Sequence, residues 1–514
     1  MNNERLKTRF YEILPGALVW LTLIASVVLS FFQPLWVIYF VVIFDLYWLF
    51  RVAYYMPFLL VSWWRYRAAL KKDWQAVAEK VQGYDEVRHL IFLPTVKEDV
   101  SVVRDTLNTL CKSPYPPERM IVVLAGEARA HDHFVQLIDV LRKEFDGRFL
   151  KLMTTEHPAD LPDEIIGKGS NLNWSGHQVL PVVTQELGLD PDKVIVSSFD
   201  VDTIVHPQYF SCLTYLYLTT PEPTRSSFQP IPLYNNNLWD SPAAVRVAMF
   251  GTTFWLMTEL SRPEGMMTFS SHSMSLRMLI DVGFWQKDIV SEDSRIFLQG
   301  LMHYHGRYRV TPMYLPVSMD TVMTGDYWKA LFALYKQLRR WAWGVENFPY
   351  MMREFSRDRT MPWNLKAFFI FKQLEGMYTW ATAPLLIFLL GRLPFWVAPD
   401  VFREFAVFQN TPFMLQNLMR LAMVGVFVSA GLAFTLLPPK PSHIARRQYV
   451  VVTVLQWVLL PITFVLFGAI PAIDAQTRHM LGGRWRLGFN VSPKRAGKNV
   501  KAEVLRPKSE TVRY

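Results

Sequence analysis

The segment KVIVSSFDVD, residues 193–202, joins an apolar, β-branched run directly to two aspartates. A run of this length and composition is typical of a buried strand. In extended chain, residues i and i+2 point the same way, so Asp200 and Asp202 are expected to address one site. Carboxylate oxygens are ligands that Mg²⁺ or Mn²⁺ prefers, although two such aspartates are also common in ordinary turns. The pattern alone leaves both interpretations open.

Residues 88–352 continue this pattern, because short apolar runs alternate with helical stretches. His89–Leu93 and Met120–Leu124 are two further predicted strands, and the alternation predicts an α/β domain with a largely parallel sheet. Ligands of such sheets collect at the carboxyl ends of the strands. Polar pairs follow the strands at these ends, namely Lys97-Glu98 and Gly126-Glu127.

A second acidic pair, Glu292-Asp293, follows Val290 and precedes a predicted helix that starts near Ser294. Acidic residues at a helix start often only cap the helix. The alternative is a general base that takes a proton from an attacking hydroxyl.

The segment QLRRW, residues 337–341, lies in a predicted helix. Positions i, i+3 and i+4 share a helix face, so Gln337, Arg340 and Trp341 are presented together. Arginine suits a phosphate and an indole suits the face of a sugar ring. An interfacial helix with a membrane-border Trp is the competing interpretation.

The segment GKGSNLN, residues 167–173, is predicted to be a loop with a lysine, Lys168, between two glycines. Its glycine spacing and residue order do not match a Walker loop. A phosphate or base contact and a solvated loop are both compatible with it.

Apolar sequence is concentrated at the two ends of the 514-residue chain, in which 51% of residues are hydrophobic and 19% are charged. A membrane span needs about 20 apolar residues. Segments of that kind are predicted at residues 14–32, 35–60, 368–390, 421–437 and 449–470. The two cysteines, Cys111 and Cys212, do not imply a disulfide framework.

The net charge of +10 arises largely beside these apolar segments, which favours a membrane partner over nucleic acid. Basic residues of 65–72 predict a cytosolic central domain. Three further crossings would then place the C-terminus outside, whereas its basic residues argue for the inside. Either one candidate does not cross, or a short segment such as 393–408 dips into the membrane.

Taken in order, these motifs resemble family 2 glycosyltransferases, above all the multi-pass branch with cellulose, chitin and hyaluronan synthases. The resemblance covers the central block and its membrane flanks. The residues that carry it are Asp200-Val201-Asp202, Glu292-Asp293, Gln337-Leu338-Arg339-Arg340-Trp341, Lys168 with Asn173, Phe228-Gln229-Pro230, and Ser270–Arg277 followed by Asp281-Val282-Gly283.

The resemblance implies an α/β GT-A-type (Rossmann-like) cytosolic domain plus an all-α transmembrane region in the plasma (inner) membrane. The expected organisation is an N-terminal transmembrane pair (1–64), the glycosyltransferase domain (65–355), C-terminal interfacial and transmembrane helices (356–472) and a basic cytosolic tail (473–514). The expected reaction is inverting transfer from a nucleotide diphosphate sugar, expected to be UDP-linked, to a hydroxyl.

The resemblance also implies roles for individual residues. Asp293 would be the catalytic base, and Asp202 with Asp200 would hold Mg²⁺ or Mn²⁺. The expected donor- and acceptor-binding residues are Glu127, Lys168, Asp200, Glu292, Gln337, Arg340 and Trp341. Glu127 departs from the pattern, because Ala125-Gly126-Glu127 stands where the family has Asp-Asp-Gly.

Three functions remain open at this point. The first is extension of a β-linked polysaccharide, with export or assembly partners, and the second is transfer of one sugar to a membrane lipid. The third is a non-catalytic membrane scaffold or transporter that retains the fold.

Overall fold

The computed structural model describes residues 2–438, 451 and 453–488. Eight strands form one sheet in the order β3-β2-β1-β4-β7-β6-β8-β5. Their bounds are β1 (Arg88–Pro94), β2 (Met120–Glu127), β3 (Lys151–His157), β4 (Val194–Ser198), β5 (Ile204–Val205), β6 (Ser226–Leu233), β7 (His272–Ser275) and β8 (Arg309–Ser318).

The sheet is mixed, which corrects the prediction of a largely parallel sheet. Strands β3, β2, β1 and β4 are parallel neighbours, but β7 pairs antiparallel with both β4 and β6, and β5 pairs antiparallel with β8. The sequence HSMS of β7 has no apolar run. Its buried polar side chains are paired instead, as in the hydrogen bond of 2.8 Å between the Ser273 hydroxyl and the Ser197 hydroxyl of β4. Hydrophobic patterning therefore could not reveal this strand.

The helices are α1 (Asn2–Phe32), α2 (Pro34–Ala69), α3 (Trp74–Ala78), α4 (Val100–Cys111), α5 (His131–Phe145), α6 (Lys168–Pro181), α7 (Tyr209–Thr219), α8 (Ala243–Leu260), α9 (Leu276–Val282), α10 (Glu292–His303), α11 (Tyr327–Ala342), α12 (Asn347–Arg357), α13 (Trp363–Phe388), α14 (Leu393–Val397), α15 (Ala406–Leu436), α16 (Leu460–Phe464) and α17 (Ile470–Leu481).

Helices cover both faces of the sheet, so alternate strand residues enter two different cores. In β1, Leu90 and Phe92 belong to one core, whereas Ile91 and Leu93 belong to the other. Tyr66 of α2 lies in the first of these cores. Burial of both faces explains why the strands were predictable as continuous apolar runs.

Four helical stretches among the described residues are long and apolar enough to cross a membrane, and a bent pair would add a fifth. The four are Glu4–Phe32, Pro34–Ala69, Ala406–Leu436 and Thr453–Leu481, and the pair is Trp363–Phe388 with Leu390–Val397, bent by 43°. Helix α15 packs alongside α2, and their C-terminal ends are joined by a hydrogen bond of 2.8 Å between Trp63 Nε1 and Thr435 Oγ1.

The last apolar stretch, Thr453–Leu481, begins against the sheet domain. Helix α8 is attached to the sheet, since Thr253 Oγ1 donates to the carbonyl of Pro232 in β6 at 3.0 Å. The Trp457 ring stacks on Phe254 of the same helix with 6.5 Å between ring centroids. The start of this stretch therefore lies on the sheet side.

The end of the same stretch also returns to the sheet side. Arg9, near the start of α1, donates to the carbonyl of Leu481 at 3.0 Å. The start of α1 is itself joined to α12 by an ion pair of 2.9 Å between Glu4 and Arg357. The described chain therefore ends on the side of the sheet. The basic residues of the tail from 489 onward lie outside the described residues.

Candidate active site

The two aspartates after β4 lie in a turn and not in extended chain. A hydrogen bond of 2.9 Å from the Thr203 N–H to the carbonyl of Asp200 closes this turn. Their carboxylates consequently have different surroundings. Ser270 Oγ donates to Asp200 Oδ2 at 2.7 Å, and the Asp320 N–H donates to Asp202 Oδ2 at 3.0 Å. The prediction of extended chain at these two residues was wrong, and the prediction that both carboxylates address one site stays a prediction.

Lys168 brings the two acidic motifs together. Its Nζ lies 3.1 Å from Asp200 Oδ1, 3.0 Å from Asp293 Oδ1 and 3.7 Å from Glu292 Oε1. Burial acts to lower the pKa of Lys168, but the three carboxylates outweigh it and raise that pKa above its usual value. The side chain is therefore an ammonium ion in the middle of an acidic cluster.

The position of Lys168 corrects the prediction that residues 167–173 form a loop. Lys168 is the first residue of α6, and Gly167 before it has an extended backbone. Ser170 Oγ accepts the Gly167 N–H at 3.2 Å and donates to the Gly167 carbonyl at 2.9 Å, which closes the first turn. The flanking glycines concealed this helix start, because glycine disfavours helix interiors.

Glu292 and Asp293 start α10 but differ in accessibility. The Glu292 side chain is 6% exposed and the Asp293 side chain is 24% exposed. Burial and the charge of Asp293 raise the pKa of Glu292 to about 8, against the opposing charges of Lys168 and Arg340. Asp293 is therefore the member of the pair that a substrate hydroxyl can approach.

The raised pKa of Glu292 predicts a pH-dependent gain in stability on substitution. The Glu292 carboxyl group binds its proton more tightly in the folded chain than in the unfolded chain. The stability that the protonated carboxyl group provides is therefore present at low pH and is lost as pH rises toward about 8. We expect Glu292→Gln to unfold near the wild-type temperature at pH 5 and several degrees above it at pH 8.5. About 1 kcal/mol shifts the midpoint by roughly 2–4 °C in a large domain.

Thermal unfolding in detergent at the two pH values measures this effect. The exposed carboxylate variant Glu118→Gln is the matched control, and it should show the same midpoint difference from wild type at both pH values. An equal shift of Glu292→Gln at pH 5 and pH 8.5 would contradict the assignment of a raised pKa.

The third motif joins the acidic cluster through Tyr234. The Tyr234 and Trp341 ring centroids are 5.8 Å apart. Burial and then the charges of Asp200, Asp202 and Asp293 raise the pKa of Tyr234, while Arg340 opposes them. Tyr234 therefore lies near the carboxylates and packs against Trp341, and no sequence motif had indicated it.

Gln337 and Arg340 share helix α11 with Trp341. Gln337 is 6% exposed, and its Oε1 has no hydrogen-bond partner among the described residues. A buried amide oxygen of this kind favours contact with a donor group of a ligand. The predicted arrangement of amide, guanidinium and indole is therefore compatible with the structure.

Glu127 ends β2 and is 5% exposed. It forms an ion pair with Arg129 and is not one of the ion-pair partners of Lys168. Burial raises the pKa of Glu127, and Arg129 opposes that shift. Beside it, Lys97 and residues 128–133 line an open cleft of about 400 Å³. Lys97 was expected at these strand ends from the sequence, whereas no motif had indicated Arg129 as a part of the cleft.

The residues around Asp200 and Asp202 fit a divalent cation only in part. No three His, Cys, Asp or Glu side chains in the described part of the chain are grouped closely enough to hold a metal ion. The Asp200 side chain is 28% exposed, so a ligand can reach it. Two carboxylates suit a Mg²⁺ or Mn²⁺ ion that takes its other ligands from substrate phosphate and water.

No family model and no curated protein sequence matches this chain. Among solved structures, the chain is similar to the mannosyltransferase PcManGT from Pyrobaculum calidifontis in complex with GDP-Man and Mn²⁺. That match has 15% identity and a TM-score of 0.43, and it covers 86% of this chain and 99% of that chain.

Two further structures are similar to smaller parts of the chain. TarS 1–349 from S. aureus in complex with UDP-GlcNAc has 12% identity and a TM-score of 0.31, with 67% of this chain and 92% of that chain covered. GalNAc-T7 with UDP, GalNAc and Mn²⁺ has 10% identity and a TM-score of 0.32, with coverage of 59% and 57%. These structural neighbours are glycosyltransferases.

Proposed function

We propose that this protein is an inverting membrane glycosyltransferase of the GT-A type that uses a nucleotide diphosphate sugar. The observation that carries the proposal is the cluster of Lys168, Asp200, Glu292 and Asp293 at the carboxyl end of the sheet. It places a buried ammonium ion between a candidate base, Asp293, and the partly exposed Asp200. Glycosyl transfer to a hydroxyl requires two charged groups: a negative group that takes the acceptor proton and a positive group near the leaving diphosphate.

Asp293 is the base in this mechanism. Its carboxylate takes the proton of the acceptor hydroxyl while the hydroxyl oxygen forms a bond to the anomeric carbon. The bond from that carbon to the diphosphate breaks on the opposite face, and its electron pair leaves with the diphosphate. One displacement inverts the anomeric centre.

The charge that develops on the leaving diphosphate needs nearby positive groups. Arg340 lies in the electrostatic surroundings of Glu292 and Tyr234, and Lys168 contacts Asp200. Asp200 and Asp202 would hold Mg²⁺ or Mn²⁺, whose charge neutralises the diphosphate when the ion is bound. Fixed positive groups of this kind stabilise the transition state without having to reorganise.

The nucleoside is assigned to the cleft beside β1 and β2. Lys97 and Arg129 give this cleft a positive wall, and it opens at the strand ends where ligands of such sheets collect. Glu127 contributes by orienting Arg129, which is a changed role for the residue that departs from the family pattern. UDP is the expected nucleotide.

The acceptor site is assigned to the surface beside Trp341, whose ring packs against Tyr234. Two aromatic rings and the unpaired Gln337 oxygen suit a sugar ring and its hydroxyls. A growing β-linked polysaccharide is therefore the first candidate acceptor. A membrane lipid is the second, because α11 exposes Trp328 at 75% and Phe332 at 60%, as expected of a helix on a bilayer surface.

The test is donor screening with the purified full-length protein in detergent and Mn²⁺. Release of the nucleoside diphosphate from one sugar nucleotide supports the proposal, and no release from any donor supports a scaffold or transporter. Radiolabelled product then separates the acceptors: a ladder on a gel indicates a polysaccharide, and one lipid-soluble species indicates lipid transfer.

We further propose that the sheet domain lies in the cytosol beside the inner membrane, because basic residues at 65–72 end α2 on the sheet side. A cysteine introduced as Lys71→Cys, with Cys111 replaced by serine, should react with an impermeant maleimide only after cells are opened. Asp400→Cys, at a side chain 92% exposed between α14 and α15, should react in intact cells. The reverse pattern would reject this orientation.

A further inference from the structure

The chain that leads into Glu292-Asp293 is held by one carboxylate, that of Glu346. Its Oε1 accepts three hydrogen bonds, from the Val290 N–H at 3.0 Å, the Ser291 N–H at 2.8 Å and the Ser291 hydroxyl at 2.7 Å. Its Oε2 accepts the indole N–H of Trp343 at 2.9 Å. Both oxygens of Glu346 are thereby used.

Ser291 occupies the N-cap position of α10 but makes no side-chain capping bond to that helix. A serine in this position normally accepts the N–H of the second or third helical residue. Here its hydroxyl donates to Glu346 instead. The start of the helix that carries Asp293 is therefore anchored to another part of the fold and not by its own cap.

The residues on the other side of Asp293 are bound to the same segment. Arg295 donates from Nε to Asn347 Oδ1 at 2.7 Å and from Nη2 to the Glu346 carbonyl at 3.1 Å. Asn347 Nδ2 donates to Ser294 Oγ at 2.8 Å. Asp293 thus lies between two attachments to residues 346–347.

Residues 343–347 continue directly from α11, the helix that ends with Arg340 and Trp341. Glu346 therefore joins the candidate base to the candidate acceptor platform. Neither the spacing nor the composition of the motifs indicates this connection, because Glu346 and Ser291 are 55 residues apart in the chain.

We propose that Glu346 is a positioning residue that sets where the Asp293 carboxylate meets the acceptor hydroxyl. The proposal rests on the proposed glycosyltransferase function. Glu346 does not itself contact the substrate. It acts through Val290, Ser291 and the first turn of α10. It matters for the proton-transfer step and not for holding the nucleotide.

The first test is Glu346→Ala in the full-length protein. We expect kcat to fall about 10²-fold, because a displacement of roughly 1 Å can cost that much. The donor KM and the affinity for the nucleoside diphosphate should stay within about twofold, because Asp200 and the basic cleft are not attached to Glu346. Glu354→Ala is the matched control, since Glu354 pairs only with Arg353 and Arg357 among the described ion pairs.

A rescue experiment separates hydrogen-bond geometry from general damage. In Glu346→Gln, an amide oxygen that faces Ser291 leaves the amide NH₂ against the Trp343 N–H, so two donors oppose each other. Trp343→Phe removes that N–H. The double variant Glu346→Gln, Trp343→Phe should have a kcat about tenfold above that of Glu346→Gln, within the coupling that contacting residues show.

Hydrogen exchange gives a readout that does not need activity. The amides of Val290 and Ser291 should exchange faster in Glu346→Ala than in wild type and in Glu354→Ala. Unchanged exchange, a wild-type kcat, or a kcat loss matched by an equal loss of nucleotide affinity would each overturn the role of Glu346. Absence of any donor turnover by the wild type would instead overturn the proposed function. Hydrogen exchange alone would then test whether Glu346 holds Val290 and Ser291 in place.

Discussion

Replacing Asp293 by asparagine is expected to abolish sugar transfer while nucleotide binding survives. The amide has nearly the same shape as the carboxylate but cannot take the acceptor proton. Positioned general-base catalysis contributes about 10²–10⁴-fold, so kcat should fall by that factor. The donor site should persist, because Asp200 keeps its contacts with Lys168 and Ser270.

Two measurements check this expectation: nucleotide release under saturating donor and acceptor, and calorimetric titration of the nucleoside diphosphate with Mn²⁺. The control is Asp288→Asn, an exposed aspartate five positions earlier that bonds to Gln286. Full activity of Asp293→Asn would remove Asp293 from the role of base. Loss of nucleotide affinity equal to the loss of kcat would make it a donor ligand instead.

Replacing Lys168 by methionine is expected to cost both stability and activity. The ammonium is 8% exposed and counters Asp200 and Asp293, whose carboxylates would then repel each other. Removing one partner of a buried ion pair costs about 3–5 kcal/mol. We expect about 3 kcal/mol, because Asp200 and Asp293 are 28% and 24% exposed. Activity should fall about 10²-fold or more, as when a fixed charge-stabilising group is lost.

The same variant makes a prediction about metal that does not depend on catalysis. Without Lys168, the Asp200 and Asp293 carboxylates are left without their shared counter-charge, and a divalent cation bound by these oxygen ligands can supply it. Mn²⁺ should therefore raise the unfolding temperature of Lys168→Met more than that of wild type. The exposed variant Lys287→Met should match wild type in stability and in its response to Mn²⁺. Equal Mn²⁺ responses of Lys168→Met and wild type would show that Lys168 does not hold the cluster together.

The strands that were predictable from sequence are those buried on both faces. β1, β2 and β4 are continuous apolar runs, and the two aspartates follow the last of them. β7 was missed because its buried hydroxyls satisfy one another and leave no apolar pattern. A single sequence indicates burial only through its apolar residues, so a buried strand of polar residues is not recognised.

The components of the candidate site were predictable individually, but their contacts were not. Lys168 and Asp293 are 125 residues apart in sequence and 3.0 Å apart in space. Spacing rules describe neighbours on one helix or strand, so they could identify the Gln337 face but could not pair Lys168 with Asp293. Tyr234 and Glu346 lie outside every motif, and only their contacts with Trp341 and Ser291 reveal them.

The long apolar helices were predictable from hydropathy, whereas the route of the last one was not. Residues 449–470 satisfy the length rule for a span. Packing of Trp457 on α8 and of Leu481 beside Arg9 returns both ends to the sheet side. The conflict between the number of crossings and the basic C-terminus disappears when this stretch does not cross.

In the proposed function, the length of helix α2 limits which acceptors can reach the candidate site. It is continuous over 36 residues, or about 54 Å at 1.5 Å per residue, whereas a hydrocarbon core is about 30 Å thick. Tyr66 near its end belongs to the core under the sheet. In the proposed membrane glycosyltransferase, this helix would fix the distance between the bilayer and the candidate active site. An acceptor of the proposed reaction would then have to bring its hydroxyl to that distance from the bilayer, so the length of its headgroup would select among acceptors.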